Sequence, residues 1–178
     1  MRHLNADLQS KGHHLNVLRR AIELSDQARR NGNDPFGALL ADEDGNILLE
    51  AENSAVSDRT TTAHAEMNLV SDASQRFTPD ELSKLTLYSS CEPCAMCAGA
   101  IFFTGIRRIM YALSGDALAK LWKEGSEVPP ALLDLECRYV FSCCKDHPTQ
   151  VVGPLLEEEA LIPHANYWER RNRNRFHV

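Results

Sequence analysis

The chain has 178 residues, 43% of them hydrophobic and 25% charged, which suits one globular domain with a buried core and excludes collagen, coiled coil and a disordered polymer. Nineteen Lys and Arg stand against 25 Asp and Glu, a formal net charge of −6, so a surface built for broad capture of phosphate backbones is not expected. The opening MRHLNADLQSKGHH lacks the apolar core of an export signal, and no stretch approaches the ~20 apolar residues that span a bilayer, so a cytoplasmic protein with no membrane partner is expected.

In chain order, the first predicted element is a helix over 15–30. Leu15, Leu18, Ile22 and either Leu24 or Ala28 form its apolar stripe, opposite Arg19, Arg20, Glu23, Arg29 and Arg30, and Asn31-Gly32 ends it. Apolar runs over 36–41 and 47–51 follow, separated by Asp42-Glu-Asp-Gly-Asn46, a hairpin signature in which Gly45 supplies the positive φ of the turn. This acidic turn lacks the alternating ligands and terminal glutamate of an EF-hand, so it is read as a turn only. From residue 60 the pattern alternates, with helices expected over 63–74, 93–104 and 115–124 and strands over 85–89, 108–113 and 138–142. A five-stranded α/β sandwich results. No repeat or linker divides residues 1–178, which are carried as one domain. Beyond Gly153-Pro154 a short helix is expected, broken by Pro163 and followed by an arginine-rich tail.

Six cysteines without an export signal point to free thiols and metal ligation rather than disulfides. Cys94 and Cys97 have the two-residue gap that lets one turn offer both sulfurs to one ion. Cys91, Cys137, Cys143 and Cys144 show no such pairing and are read as small buried hydrophobes, the last two on opposite faces of a strand.

The informative constellation is His64-Ala65-Glu66 and, after a gap of 26 residues, Pro93-Cys94-Ala95-Met96-Cys97. It matches the H-x-E…P-C-x-x-C signature of zinc-dependent deaminases. Cys94 and Cys97 at i and i+3 share one face of a first helical turn, where the helix dipole favours thiolates. With His64 they make three protein ligands for Zn²⁺ and leave one position open, the arrangement of a catalytic site. Two thiolates cancel the charge of the ion and weaken it as a Lewis acid, so a nearby base is needed. Glu66 is read as that base and not as a ligand, taking a proton from the attacking water and delivering it to a ring nitrogen and then to departing ammonia. A C-x-x-C alone also fits a structural half-site or a redox pair, but the second closed pair that a structural site requires is missing.

TTAHAEMNLV and LYSSCEPCAMCAGAIFFTGIRRIMYA resemble the cytidine deaminase-like superfamily, over most of residues 15–125, and look closest to bacterial guanine deaminases and tRNA adenosine deaminases. The resemblance implies a three-layer α/β/α sandwich around a five-stranded mixed sheet, one zinc per chain on His64, Cys94 and Cys97, Glu66 as the proton shuttle, and a homodimer. It also implies substrate-binding positions at Asn53, Phe36, Ala65 and Asp116. Asn53 reads alternatively as a turn former, Phe36 as a core residue, and Asp116, whose spacing from Tyr111 is one residue short, as a helix N-terminal acid. Pro35-Phe36-Gly37-Ala38 and Ser90-Cys91-Glu92-Pro93 look like the guanine deaminase branch.

Residues 126–178, with Val128-Pro-Pro130, depart from the family pattern. In that stretch Tyr167, Trp168 and Phe176 are candidates for a pocket-closing aromatic, and Arg170, Arg171, Arg173 and Arg175 read either as an RNA contact or as a solvated terminus. The expected activity is hydrolytic deamination of a free nucleobase or nucleoside, with guanine or a related aminopurine first. Adenosine editing in tRNA and a non-catalytic zinc scaffold are the alternatives.

Overall fold

The structure is a computed structural model that describes residues 2–125 and 132–169, with side chains described from residue 12. Val128-Pro-Pro130, the tail arginines and Phe176 lie outside the described residues. The first element, α1 (Arg2–Arg30), starts well before the predicted residue 15, with no proline to interrupt it. The hairpin forms as expected from β1 (Gly37–Ala41) and β2 (Ile47–Glu52). Next come α2 (Ala65–Arg76), the short α3 (Pro79–Leu82) with a capping box at Thr78, and β3 (Thr86–Cys91). The chain continues through α4 (Ala95–Thr104), β4 (Arg108–Leu113) and α5 (Gly115–Glu124).

The fifth strand is not where the pattern placed it. Residues 138–142 lie within a helix, α6 (Cys137–Ser142), and the edge strand is β5 (Gln150–Val152). Cys137 and Phe141, four residues apart, share the buried face of α6, so the apolar spacing there is helical and the strand period was misread. The cysteine reading changes with it. Cys91 and Cys137 are buried as expected, whereas Cys143, at the C-cap of α6, is exposed and Cys144 is half-buried. Beyond β5, α7 (Glu157–Leu161) and a 3-10 turn (Ile162–His164) form the broken short helix that Pro163 foretold.

The sheet order is β2-β1-β3-β4-β5, with β1 antiparallel to both neighbours and β3, β4 and β5 parallel. Every residue of β1 and β3 is buried, as central strands covered on both faces require. Side chains alternate between two cores. Ala38, Leu40, Leu87, Ile109 and Tyr111 face α2, α4 and α6, while Leu39, Ala41, Tyr88 and Ala112 face α1, α5 and α7. The result is a three-layer α/β/α sandwich around a five-stranded mixed sheet. Gly37 lets α1 press onto β1: a Cβ at that position would lie 2.5 Å from Leu24 Cβ and 2.6 Å from the Ala21 carbonyl. Among the described residues no helix is long and apolar enough to cross a membrane.

Candidate active site

The site lies beyond the carboxyl ends of β3 and β4, the usual ligand position in open α/β sheets. Two helix starts build it. His64 is the N-cap of α2 and Cys94 the N-cap of α4, both in extended backbone, and neither side chain caps its own helix. An N-cap side chain ordinarily accepts a hydrogen bond from the next turn. Here both side chains turn instead toward a common point, where Cys97 joins them from the first turn of α4. His64 Nδ1 lies 3.7 Å from Cys94 Sγ and 3.6 Å from Cys97 Sγ, and the two sulfurs are 3.6 Å apart.

These edges test the fit of a zinc ion. Tetrahedral zinc with Zn–S of about 2.3 Å and Zn–N of about 2.0–2.1 Å demands S···S edges of about 3.8 Å and N···S edges of about 3.6 Å. The three donors therefore already stand at zinc spacing, and they are the metal-capable cluster found among the described residues. Their proton affinities reflect the same crowding. The Cys94 thiol is held down to about 4, chiefly by the hydrogen bond from Cys97, with His64 adding to it. Cys97 is pushed up by its bond to Cys94 and by burial, and His64 is pushed up by its bond to Cys94.

Glu66, two residues into the same helix start as His64, is buried. One of its oxygens accepts the Ser89 hydroxyl at 2.9 Å and the other lies 3.6 Å from Cys97 Sγ. Burial pushes its carboxyl up from the ordinary glutamate range. Ser89 was not read from the sequence. Its contact with Glu66 spans 23 residues and depends on the register of β3, for which no local pattern exists. Replacement Ser89→Ala removes a charge-assisted bond of about 1.5–3 kcal/mol, so a fall in kcat of about tenfold or more at unchanged zinc content is expected from steady-state kinetics and metal analysis.

A cavity of about 320 Å³ opens from this centre. His64, Glu66 and Cys94 lie at its base, with Asn53, Phe36, Cys91, Leu118, Trp122 and Trp168 among its walls. Asn53 lines the cavity, and its Oδ1 accepts the Ala55 amide at 3.0 Å in a turn, as the turn-forming reading expects. Ala65, the first residue of α2, is fully buried in the core and Asp116 is exposed on the first turn of α5, so neither is part of the cavity lining. Ser114, not Asp116, caps α5. Of the candidate lid aromatics, Trp168 reaches the cavity and stacks on Trp122 at 4.6 Å, while Tyr167 donates its hydroxyl to Asp34 at 2.8 Å. His164 lies between Phe36 and Trp168, and burial holds its imidazole down to about 4.

Glu92 was also missed. One of its oxygens accepts the Gly115 amide at 3.1 Å and the other the Cys137 amide at 2.9 Å, so it ties the metal loop to the starts of α5 and α6. The sequence carries the signal for it only in part, as an acid immediately before the Pro93-Cys94 turn.

Comparisons with known proteins agree with this geometry. The family profile of the cytidine and deoxycytidylate deaminase zinc-binding region matches residues 11–113. The chain is 44% identical over 155 residues to a probable cytosine deaminase of Schizosaccharomyces pombe, covering 87% of this chain and 92% of that one. It is 38% identical over 155 residues to a tRNA-specific adenosine deaminase of Haemophilus influenzae, covering 87% and 83%. A solved guanine deaminase from Nitrosomonas europaea shares the fold, with a TM-score of 0.66 at 21% identity over 82% of this chain and 79% of that one. A chain that matches this profile over more than half its length and brings His64, Cys94 and Cys97 together at zinc spacing belongs to the cytidine and deoxycytidylate deaminase family, zinc-dependent hydrolases of C–N bonds.

Proposed function

We propose that the protein hydrolyses the amine of a free nucleobase, with guanine or a related aminopurine as the first substrate. The observation that carries this reading is Glu66, a buried carboxyl set between the metal cluster and the cavity and steadied by Ser89. Zinc held by His64, Cys94 and Cys97 supplies a Lewis acid that makes water a nucleophile at neutral pH. Glu66 accepts the proton of the attacking water, passes it to a ring nitrogen, and later protonates the departing amine. The C–N bond breaks, a carbonyl forms and ammonia leaves.

The cavity volume lies near the low end of the ~300–1,000 Å³ typical of small-molecule sites, which supports a ligand the size of one base. The aromatic rings of Phe36, Trp122 and Trp168 in the wall support a flat ligand. With Cys91, which also lines the cavity, Phe36 belongs to the residues that resemble guanine deaminases. Cytosine is the second reading, favoured by the identity to the S. pombe protein over nearly the whole of both chains. The reading carries a homodimer with it, for which the Phe103 ring, 86% exposed on α4, is the apolar contact.

Ammonia release from zinc-loaded protein is to be measured with guanine, guanosine, adenine, adenosine, cytosine and cytidine. Guanine is expected to react fastest. Turnover of cytosine alone selects the second reading, and silence across the panel removes both. Salt-sensitive RNA binding with adenosine turnover only inside RNA would move the assignment to the activity named for the H. influenzae relative.

A further inference from the structure

Residues 162–168 bring Trp168 into the cavity wall, where it stacks on Trp122 at 4.6 Å and lies nearly parallel to His164 at 5.9 Å. His164 in turn meets Phe36 at 5.4 Å. Ring packing holds this segment, but its polar atoms are poorly served. Four buried side-chain polar atoms have no hydrogen-bond partner among the described residues, and three of them are here: both ring nitrogens of His164 and Nε1 of Trp168. A buried indole N–H or imidazole ordinarily finds a partner, and one left unpaired regains water on exposure. The closed segment is therefore easier to open than its burial suggests, and the contacts that reach it from outside decide the balance.

Those contacts come from Asp34, which accepts the Tyr167 hydroxyl, and from α1. Arg29, in the last turn of α1, donates from Nη1 to the Pro163 carbonyl at 2.7 Å and sets its guanidinium over the Tyr167 ring at 5.9 Å. It thus grips the segment on either side of His164. Ten residues earlier, about 15 Å along the helix, Arg19 forks onto both oxygens of Glu159 in α7 at 2.9 and 3.0 Å. That pair is exposed, where ion pairs contribute little, whereas the Arg29 bond is partly buried and charge-assisted.

We propose that Arg29 is a positioning residue: it latches residues 162–168 over the bound base and so sets how long the ligand stays, without touching the reacting atoms. This rests on the reading of the cavity as a free-base site. Arg29 belongs neither to the metal donors nor to the cavity lining. Its replacement leaves His64, Glu66, Cys94 and Cys97 in place while shifting the segment toward an open form, so substrate and product both leave faster. Binding weakens and the chemical step does not.

The test compares zinc-loaded wild type with Arg29→Met, Arg29→Lys and Arg19→Met. The chain has two tryptophans, Trp122 and Trp168, and both line the cavity, so intrinsic fluorescence reports on this segment. Its quenching by acrylamide is measured without ligand, followed by kcat and KM on the best base, zinc content and melting temperature. Arg29→Met is expected to raise KM about tenfold and quenching about twofold at unchanged zinc content, with kcat equal or slightly higher. Arg29→Lys keeps a charged donor and should recover most of both. Arg19→Met should match the wild type in KM and quenching. The proposal is overturned if Arg29→Met lowers the melting temperature but leaves KM and quenching alone, which makes Arg29 a stabiliser only. It is overturned equally if kcat falls with KM unmoved, or if Arg19→Met raises KM as much. Should Arg29→Met fail to fold, Arg29→Gln, with a neutral donor on a shorter stem, is judged by the same criteria. A wild type silent on every base overturns the parent reading instead, and the quenching comparison then decides for Arg29 alone.

Discussion

Glu66→Gln should retain its zinc and lose turnover, with kcat falling by about 10²–10⁴-fold while KM changes little. Glutamine has nearly the same shape, can still accept the Ser89 hydroxyl, and removes nothing from the three ligating atoms, since the carboxyl stands 3.6 Å from the nearest of them. It cannot take up and release a proton. The measurement is metal content by elemental analysis together with steady-state ammonia release. Activity at the wild-type level would refute the shuttle, and loss of zinc would show Glu66 to be a ligand.

Cys97→Ser should release the metal. Cys97 is fully buried and stands 3.6 Å from both partners, so a serine hydroxyl leaves a shorter, harder, protonated donor where a thiolate is needed. Zinc affinity is expected to fall by more than the ~10–100-fold that changes behind the ligands cause, and ammonia release to fall to background. Because a ligand that binds only the folded chain stabilises it by mass action, a chelator should lower the melting temperature of the wild type and leave that of Cys97→Ser unmoved. A stoichiometric zinc content in the variant would sink the ligand assignment.

Much of this was legible in the sequence, for identifiable reasons. Strands β1 to β4 are bounded by turn residues and hold short apolar stretches, and His64, Glu66, Cys94 and Cys97 sit within two short segments at helix starts. The fifth strand was not legible. β5 has three residues, too few to show a period, while Arg138-Tyr-Val-Phe-Ser142 has strand-like composition in a segment whose first amide, that of Cys137, is held by Glu92 and whose Cys137 and Phe141 bury together. Asp34, Ser89, Glu92 and Trp122 escaped for a different reason. Each acts through a partner more than twenty residues away or through a wall assembled from several elements, and no window of sequence contains that relationship.

The Glu92 brace has a consequence for how the molecule carries load. Its carboxylate pins the cysteine-bearing turn to α5, which presents Trp122, and Trp122 in turn is the surface against which Trp168 rests. Reaction centre and roof are thus joined by a single strut from the cation pocket to the aromatic cover. Loss of the Glu92 carboxylate would therefore be felt at both ends, at the cysteine-bearing turn and at the paired indoles.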